Sequence, residues 1–498
     1  MKVLLVNPPQ TFYPGSDMPA GNIPLGLLYI GAMLEKYEYE VQILNALMTD
    51  STFIKNGDTT EIGMPYSKIK QEIEKSDPDI VGIASPFTSQ ADHAIRVANV
   101  VKEINPNILT VVGGPHASVV PVDFLKEAAN IDVAVVGEGE CGMLDVADHF
   151  KGDGDFENVL GIAYRRSGKV VLNDPRPPIE NLDELPFPAY HLIDMEQYLN
   201  PKKIDYRSFK ERAISMVTSR GCPYDCHFCT VHLHMGKAFR ANSVEYVLKH
   251  IEYVVGAYDI KNIFFEDDNM ALNPKRFEGI VDGIIDKGIK VNWELPNGIR
   301  ADTMNYPLLA KMKRSGCRSV FFGVESGDQY ILDHLVRKSL RLKDVVTCAK
   351  MCKNLGLKTG AFYVIGFPGE KKENMMKTVE FALSLKKEFD VGMHLFVATP
   401  NYGTKVYEVC VEKGYLQQEL SPRAFSEVRQ PRGVPLIKTE DFTPLEVKEI
   451  ASRAVDRYKK LSVISYVKYP FKTIKTATSS PRVIRRFIQN LSRTSFFW

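Results

Sequence analysis

The sequence predicts an α/β protein with an N-terminal doubly wound, Rossmann-like domain, a partial (β/α)6, TIM-like barrel and a mainly helical C-terminal region. Three observations predict this class. Short β-branched apolar runs alternate with helical stretches through residues 1–150, the alternation returns over 213–410, and it stops at 411. Such alternation is typical of parallel sheets covered by helices. Residues 151–212 are predicted to be a linker with a short hairpin, and 411–498 a helical, basic region.

Composition is that of an ordinary globular protein. The 498 residues are 44% hydrophobic and 25% charged, with a formal net charge of +2. Eight cysteines, five of them scattered, do not suggest a disulfide framework. The apolar start at 1–6 is too short for a signal peptide, and the longest apolar run, 23–34, is too short to span a bilayer. We therefore expect a cytoplasmic protein.

The N-terminal domain is predicted from five apolar strands with helices between them. The strands are Lys2–Val6, Val41–Asn45, Ile80–Ala84, Leu109–Gly113 and Val133–Val136, and the helices include Leu25–Lys36, Ala91–Ile104 and Val122–Ala129. Ligands of such sheets bind at the carboxyl ends of the strands. The loops there are Asn7-Pro8-Pro9, Ser85-Pro86-Phe87-Thr88-Ser89-Gln90, Gly113-Gly114-Pro115-His116-Ala117-Ser118 and Gly137-Glu138-Gly139-Glu140. None is a G-x-G-x-x-G phosphate fingerprint, and simple tight turns remain an alternative.

The linker and the barrel follow. A hairpin of 161–166 and 169–172 precedes a proline-rich loop. The six barrel strands are predicted at Ala213–Val217, Lys261–Phe265, Lys290–Glu294, Ser319–Gly323, Gly360–Ile365 and Met393–Val397. Barrel folds keep their chemistry at the carboxyl ends of the strands.

The loop after the first barrel strand is the most specific feature of the chain. Cys222, Cys226 and Cys229 lie there at the spacing C-x3-C-x2-C. Thiolates are the usual ligands of iron–sulfur clusters, and three of them can hold three irons of a [4Fe–4S] cube. A zinc site with His232 or His234 is the alternative, although structural zinc usually takes two separated ligand pairs.

This spacing, with an aromatic residue before the third cysteine, resembles the radical S-adenosylmethionine (SAM) enzymes. The resemblance implies that Cys222, Cys226 and Cys229 ligate a [4Fe–4S] cluster whose open iron binds SAM. An electron from the cluster then cleaves SAM to a 5′-deoxyadenosyl radical. An external low-potential donor of the flavodoxin or ferredoxin type is the expected electron source.

The ends of the barrel strands match the same family in order and spacing. The residues that the resemblance places around SAM are Glu266, Asp267, Asp268, Arg300, Glu325, Ser326 and Gly366. Glu325 is suited to accept hydrogen bonds from ribose hydroxyls. For the acidic run, ordinary solvated charge is the alternative.

The N-terminal Gly-Gly-Pro-His and Gly-Glu-Gly-Glu segments resemble the cobalamin-binding domain that precedes the barrel in one large subgroup. The implied cobalamin contacts are Pro8, Ser85, Phe87, Thr88, Gly113, Gly114, His116, Gly137, Glu138 and Gly139. The D-x-H-x-x-G motif that supplies an axial histidine is missing, so cobalamin is expected without a lower histidine ligand. His116 would contact the nucleotide tail or cap the next helix.

The C-terminal region is basic and amphipathic. Residues 443–461 are predicted to be a helix, and the last 48 residues hold eleven Lys or Arg and one acid. A basic amphipathic helix with an aromatic end can lie on an anionic membrane surface. A helix docked on the barrel is the alternative, and no nucleic-acid-binding module is present.

The combined resemblance implies a cobalamin-dependent radical SAM methyltransferase. It would act on an unactivated carbon of a small or lipid-like molecule, through a 5′-deoxyadenosyl radical and methylcobalamin. A radical cyclase of the kind that closes porphyrin rings is the alternative within the subgroup. A non-catalytic cobalamin or metal sensor is the alternative from another class.

Overall fold

A computed structural model of the protein describes residues 1–12, 23–57, 59–152, 155–199, 211–421, 424–425 and 435–468. The N-terminal elements are β1 (Lys2–Asn7), β2 (Gln10–Phe12), α1 (Leu25–Lys36), β3 (Glu40–Asn45), β4 (Thr52–Asn56), β5 (Thr59–Gly63), α2 (Tyr66–Ser76), β6 (Ile80–Ala84), α3 (Ala91–Ile104), β7 (Leu109–Gly113), α4 (Pro115–Val119), α5 (Pro121–Glu127), β8 (Val133–Val135), α6 (Gly139–Lys151), β9 (Ile162–Arg166) and β10 (Lys169–Leu172).

The later elements are α7 (Met195–Leu199), β11 (Ala213–Met216), β12 (Ser219–Arg220), α8 (Val231–His234), β13 (Arg240–Ala241), α9 (Val244–Tyr258), β14 (Asn262–Phe265), α10 (Pro274–Asp286), β15 (Asn292–Ile299), α11 (Tyr306–Arg314), β16 (Cys317–Glu325), α12 (Gln329–Ile331), α13 (Leu342–Leu355), β17 (Lys358–Ile365), α14 (Lys372–Phe389), β18 (Gly392–Val397), α15 (Lys405–Glu412) and α16 (Pro444–Lys468). Short 3-10 and π turns connect several of them.

The N-terminal strands form a seven-stranded sheet in the order β10-β9-β8-β7-β6-β1-β3. Neighbouring strands from β3 to β8 are parallel, and Val3 of β1 lies between Val41 of β3 and Ile80 of β6. The chain passes from β1 to β3 on one side and then to β6 on the other. Because the strand order reverses there, a ligand is expected at the carboxyl ends of β1 and β6.

The predicted hairpin extends this sheet. Strands β9 and β10 pair antiparallel, and β9 pairs antiparallel with β8. A separate antiparallel sheet, β2-β5-β4, follows the ends of β1 and β3. This small sheet was not predicted from the sequence, because every residue of β4 is exposed and no apolar alternation marks β4 as a strand.

The second domain is the predicted partial barrel of six parallel strands, in the sequential order β11-β14-β15-β16-β17-β18. Alternate strand residues such as Ile263, Val320 and Tyr363 join a core with the surrounding helices. Since successive side chains of a strand point to opposite faces, the residues between them face the barrel interior.

Helix α16 packs against α14 and β18, where a helix over residues 443–461 was predicted. The basic, aromatic end of the chain, from 469 onward, lies outside the described residues. Within the described ranges, no helix has both the length and the apolar character that crossing a bilayer requires.

Candidate active site

The three clustered cysteines lie in the loop that follows β12, residues 221–230, here called the cysteine loop. Cys222, Cys226 and Cys229 are half-buried and unoxidised. The Cys229 amide donates to the Cys226 carbonyl at 3.0 Å, and the Cys222 amide donates to the Gly236 carbonyl at 3.4 Å. The predicted cysteine triplet therefore forms one compact turn at the mouth of the barrel.

The start of the cysteine loop requires a glycine. Gly221 has φ +81°, and a Cβ added to it would lie 2.3 Å from the Ala238 carbonyl oxygen. Asp268 Oδ2 accepts a hydrogen bond from the Gly221 amide at 3.1 Å. Burial raises the pKa of Asp268 to about 6. Asp268, predicted as a SAM contact, is thus placed next to the cysteines and fixes the start of their loop.

Burial favours the protonated form of two thiols in the cysteine loop. Burial raises the pKa of Cys226 and brings that of Cys229 to about 12, so a bound metal would displace protons from both. In the described part of the chain, no three His, Cys, Asp or Glu side chains converge as one metal ion requires.

The other acids after β14 bind within the protein. Asp267 accepts hydrogen bonds from the Thr218 amide at 2.7 Å and from the Thr218 and Ser219 hydroxyls at 2.6 and 2.7 Å. Its side chain is buried and holds the segment that leads to the cysteine loop. The contact of Asp267 with SAM stays a prediction. Glu266 accepts from the Ser215 hydroxyl at 2.8 Å and is half-buried at the barrel mouth.

A buried ion pair that was not predicted from the sequence lies beside Cys226. Lys338 Nζ is 2.7 Å from Glu325 Oε1, with side-chain exposures of 12% and 9%. Glu325 has φ +68°, and Lys338 stands between Arg337 at +59° and Ser339 at +53°. Non-glycine residues in this region are strained and concentrate at functional sites.

Burial raises the pKa of Cys226, and the positive charge of Lys338 counteracts this rise. Burial alone would lower the pKa of Lys338, but Glu325 holds this pKa above its ordinary value. Lys338 therefore remains charged next to the cysteines. Lys338 lies 13 residues after Glu325. This spacing belongs to no pattern that can be recognised from the sequence alone.

Arg300 connects this lysine to the cysteine loop. Its guanidinium donates to the Lys338 and Ser339 carbonyls at 2.7 Å each and pairs with Asp302 at 2.7 Å. The same guanidinium lies 3.9 Å from the centre of the Tyr224 ring in the cysteine loop. Predicted as a SAM contact, Arg300 is engaged by the protein and fixes the loop that carries Lys338.

The end of β17 also reaches the cysteine loop. The Gly366 and Phe367 amides donate to Glu370 Oε2 at 2.7 and 3.0 Å, and the Phe367 ring lies 5.9 Å from that of Phe228. Gly366 has φ +88°, and a Cβ added to it would lie 3.2 Å from the Val447 side chain. The contact of Gly366 with SAM stays a prediction.

Two further residues that the sequence predicts as cofactor contacts are packed within the protein, and their contacts stay predictions. Ser326 is fully buried and its hydroxyl bonds to the Thr378 hydroxyl at 3.0 Å. Gly139 begins α6, and a Cβ there would lie 2.7 Å from Ile30 of α1. Ser326 therefore holds β16 to α14, and Gly139 allows two helices to pack closely.

The loops after β1, β6, β7 and β8, here called the N-terminal edge, meet as predicted. A Cβ on Gly114 would lie 2.8 Å from the Ser85 carbonyl oxygen. The buried Ser85 hydroxyl finds no hydrogen-bond partner among the residues described, which is unusual for a buried polar group. Phe87 is 47% exposed beside it, and Pro8 is buried at the end of β1. This edge offers an apolar ring and an unsatisfied hydroxyl, which fit a large planar cofactor.

His116 and Gly137 complete the edge. His116 Nδ1 lies 3.1 Å from the Thr88 hydroxyl, and the imidazole packs edge-on against Phe124 at 4.7 Å. Burial lowers the pKa of His116 to about 4, so the ring is neutral at pH 7. His116 thus joins the β6 and β7 loops. Gly113 ends β7 in the same place, and Gly137 has φ +85°.

Glu138 is paired with two arginines of the barrel domain. Arg220 donates to Glu138 at 2.7 Å and to Glu140 at 2.5 Å, and Arg240 donates to Glu138 at 2.7 Å. Burial alone would raise the pKa of Glu138, but Arg220 and Arg240 together hold it below its ordinary value. Both oxygens of Glu138 bind arginines of the barrel domain, and its contact with cobalamin stays a prediction.

This charged cluster brings the two predicted cofactor sites face to face. Helix α8, which follows the cysteine loop, packs on α4 of the N-terminal edge. A Cβ on Gly137 would lie 3.7 Å from the His234 carbonyl oxygen. The cysteine loop and the N-terminal edge therefore lie next to each other where the two domains meet.

Comparison with known proteins divides the chain into the same two domains, a sheet domain followed by a barrel domain. Residues 20–147 match the family model of the B12 binding domain, and residues 216–382 match that of the radical SAM superfamily. An uncharacterized methyltransferase of Pyrococcus horikoshii is 33% identical over 91% of each chain. Cytidylyl-2-hydroxyethylphosphonate methyltransferase of Streptomyces wedmorensis is 31% identical over 84% of this chain and 83% of its own.

A solved structure shares the fold. The cobalamin-dependent S-adenosylmethionine radical enzyme OxsB, with aqua-cobalamin and S-adenosylmethionine bound, superposes with a TM-score of 0.69 at 17% identity. The match covers 99% of this chain and 70% of OxsB. The order of a doubly wound sheet followed by a partial barrel is thus the same in both.

Proposed function

Because this chain belongs to the radical SAM enzymes that carry a B12-binding domain, we propose that it transfers a methyl group from SAM to an unactivated carbon of a small molecule. The family predicted from the cysteine loop and the N-terminal turns is thereby confirmed. Both relatives described above are named as methyltransferases, and each aligns with more than four-fifths of this chain. We assign residues 1–150 to the cobalamin domain, 151–212 to the linker, 213–410 to the radical SAM domain and 411–498 to the C-terminal region.

The residues at the barrel mouth suit the binding of a cluster and SAM. Cys222, Cys226 and Cys229 would ligate the cluster. Lys338 would bind the carboxylate of SAM and Glu325 a ribose hydroxyl, because the two form the charged pair beside Cys226. When bound, the cluster and SAM supply a carbon radical, and cobalamin carries the methyl group. The protein supplies placement and exclusion of water.

The N-terminal edge would hold the cobalamin. Ser85 offers an unsatisfied buried hydroxyl, Phe87 an exposed ring, and Gly114 a close approach of backbone. One observation supports two-cofactor chemistry above all: Arg220, two residues before Cys222, is hydrogen-bonded to Glu138 of the facing edge. Cofactors bound at the cysteine loop and at the N-terminal edge would then both reach the same substrate molecule.

Three finer points belong to the same proposal. A low-potential flavodoxin or ferredoxin would reduce the cluster. The substrate would be lipid-like, and the basic C-terminal end would bring the enzyme to an anionic membrane surface. That end lies outside the described residues, so its sequence alone supports the membrane contact.

The test is anaerobic reconstitution with iron, sulfide and cobalamin, followed by incubation with methyl-labelled SAM, a reductant and an extract of the host. We expect about four irons per chain, 5′-deoxyadenosine, and labelled methyl in a new product. Deoxyadenosine without a methylated product would favour the cyclase alternative. Absence of deoxyadenosine in a fully loaded protein would contradict the enzyme and favour the sensor.

A further inference from the structure

Two side chains at the end of the β6 loop, residues 85–90, and in the helix after it bind the first strand of the small sheet β2-β5-β4. The Gln90 side chain accepts a hydrogen bond from the Thr11 amide at 2.9 Å and donates one to the Thr11 carbonyl at 3.2 Å. In the first turn of α3, His93 Nε2 lies 2.7 Å from the Thr11 hydroxyl, and His93 Nδ1 lies 2.7 Å from the Tyr66 hydroxyl. Gln90, His93, Thr11 and Tyr66 are here called the polar clamp.

The polar clamp is shielded from water. Gln90 and His93 are 7% and 3% exposed, and Thr11 and Tyr66 are half-buried. Burial lowers the pKa of His93 to about 4, so at pH 7 the ring is neutral, with one nitrogen that donates and one that accepts. Both partners of His93 are hydroxyls, which can take either role. The His93 ring therefore binds both hydroxyls without a buried charge.

A further strand of the small sheet is held to α3 by an ion pair. Arg96 of α3 binds Glu61 of β5 at 2.7 Å, and its guanidinium lies 3.8 Å from the centre of the Tyr66 ring. Apolar packing contributes little, because β2, β4 and β5 contain one buried apolar side chain, Ile62. Segments with few buried apolar contacts open at low cost. The attachment of the small sheet therefore depends mainly on polar contacts.

The polar clamp joins the two loops that border the switch point of the large sheet. The loop after β1 contains Pro8 and Pro9 and runs directly into β2, which carries Thr11. The loop after β6 ends at Gln90. Strands β1 and β6 are neighbours, and the strand order reverses between them. Since ligands of doubly wound sheets bind in the crevice at that point, the clamp connects the two sides of the expected crevice.

The β6 loop carries the group that best suits cobalamin. The Ser85 hydroxyl is fully buried and has no hydrogen-bond partner among the described residues. Within the same loop, the Thr88 hydroxyl lies 3.1 Å from His116 Nδ1. The loop is thus fixed toward β7 by His116 and toward β2 by Gln90. A loop held on both sides keeps Ser85 in one conformation, which lowers the entropic cost of binding a ligand.

We propose that Gln90 and His93 are positioning residues for cobalamin, which act through the β6 loop and not by contact with the cofactor. The proposal rests on the proposed function only in taking cobalamin as the ligand of the N-terminal edge. Because coupling between two sites is reciprocal, bound cobalamin should in return stabilise the small sheet.

The test measures the binding of methylcobalamin, in the dark, to the anaerobically reconstituted full chain by equilibrium dialysis. Gln90→Leu and His93→Phe should each weaken binding about five- to thirtyfold, since each removes two hydrogen bonds. Tyr66→Phe is a milder variant at a half-buried site, and the loss of its one hydroxyl should weaken binding about two- to fivefold. Iron content and SAM binding should stay at their wild-type values in all three variants.

Thr110→Val is the matched control for a general loss of stability. Thr110 lies near the amino end of β7, away from the loops, and its side chain is fully buried. Its hydroxyl lies 2.7 Å from the Asn130 carbonyl oxygen and 2.8 Å from the Asp132 carboxylate. Urea unfolding should show that Thr110→Val destabilises the protein as the clamp variants do, whereas its affinity for methylcobalamin should not change. Equal weakening of binding by Thr110→Val would overturn the proposal.

Hydrogen exchange read by mass spectrometry tests the coupling itself. Methylcobalamin should slow amide exchange in β2 and β5 of the wild-type chain, and Gln90→Leu should abolish this protection, while β10 at the far edge of the sheet should not respond.

Unchanged methylcobalamin affinity in Gln90→Leu and His93→Phe would overturn the positioning role alone. A wild-type chain that binds no methylcobalamin would overturn it together with the proposed function. If the affinities follow the expectation and no methyl group is transferred, the positioning role stands and the proposed function fails.

Discussion

Arg220 Nη1 lies 2.7 Å from Glu138 Oε1, and the two side chains are 9% and 5% exposed. Arg220 stands two residues before the first cysteine of the cysteine loop, and Glu138 directly follows Gly137 of the N-terminal edge. One buried hydrogen-bonded pair therefore connects the site proposed for the cluster with the site proposed for cobalamin. Charged pairs of this kind fix geometry because neither partner tolerates loss of the other.

Arg220→Met is expected to lower the free energy of unfolding by about 3–5 kcal/mol, because it leaves Glu138 and Glu140 buried with one fewer cation. Urea unfolding of the purified chain measures the change. Arg212→Met is the matched control: Arg212 pairs with Glu196, which is 69% exposed, so its loss should cost less than about 1 kcal/mol. Equal costs for the two variants would contradict the special role of the buried pair.

The regular elements could largely be predicted from the sequence. Leu25–Lys36, Ile80–Ala84 and Ala91–Ile104 have the predicted bounds, because buried strands and amphipathic helices carry their periodicity locally. The exposed strand β4 carries no such period, and it was missed.

The candidate site was less predictable than the fold. The position of the cysteines followed from a compact motif. The partners of Glu138 and Glu325 could not be predicted. Arg220 and Lys338 reach these glutamates through tertiary contacts, which produce no recognisable spacing in the sequence. The partners of Asp267 could not be predicted for a related reason: its hydrogen bonds to Thr218 and Ser219 depend on how β11 and β14 pair.

Lys338→Met is expected to weaken SAM binding at least about tenfold, the equivalent of one lost charged contact. It should also destabilise the fold, because Glu325 would stay buried without its cation. Equilibrium dialysis of labelled SAM against the reconstituted protein measures the first effect, and urea unfolding measures the second.

A double variant separates these two effects. Lys338→Met with Glu325→Gln should recover stability but not SAM affinity. Lys377→Met is the control, since Lys377 pairs with Asp328 and is 64% exposed. Full SAM affinity in the Lys338→Met single variant would refute its role in SAM binding.

Cys226→Ala should abolish the intact cluster, with loss of the broad iron–sulfur absorbance and of 5′-deoxyadenosine formation. Three thiolates are needed to hold the cube, and no fourth protein ligand replaces a missing one in this proposal. Iron and sulfide analysis after anaerobic reconstitution measures the loss. Cys141→Ala should retain the cluster, because half-buried Cys141 lies on α6 of the N-terminal domain. Unchanged iron content in Cys226→Ala would contradict the ligand assignment.

Glu370 predicts a pH dependence of stability. Burial raises the pKa of Glu370 to about 8, above its ordinary value of about 4.3. The folded state therefore keeps a proton that the unfolded chain has already released. By linkage, the contribution of Glu370 to stability is complete below the unfolded pKa and is lost as pH rises through the folded pKa. The slope is at most about 1.4 kcal/mol per pH unit over that window.

Glu370→Gln should remove this slope while preserving the hydrogen bonds from the Gly366 and Phe367 amides, because the amide oxygen of glutamine can accept both. The measurement is the difference in unfolding free energy between wild type and variant at pH 5 to 9, which cancels the titration of other groups. Glu373→Gln, an exposed change in the first turn of α14, should give a flat difference. A flat difference for Glu370→Gln as well would mean that Glu370 is ionised in the folded protein, contrary to its burial.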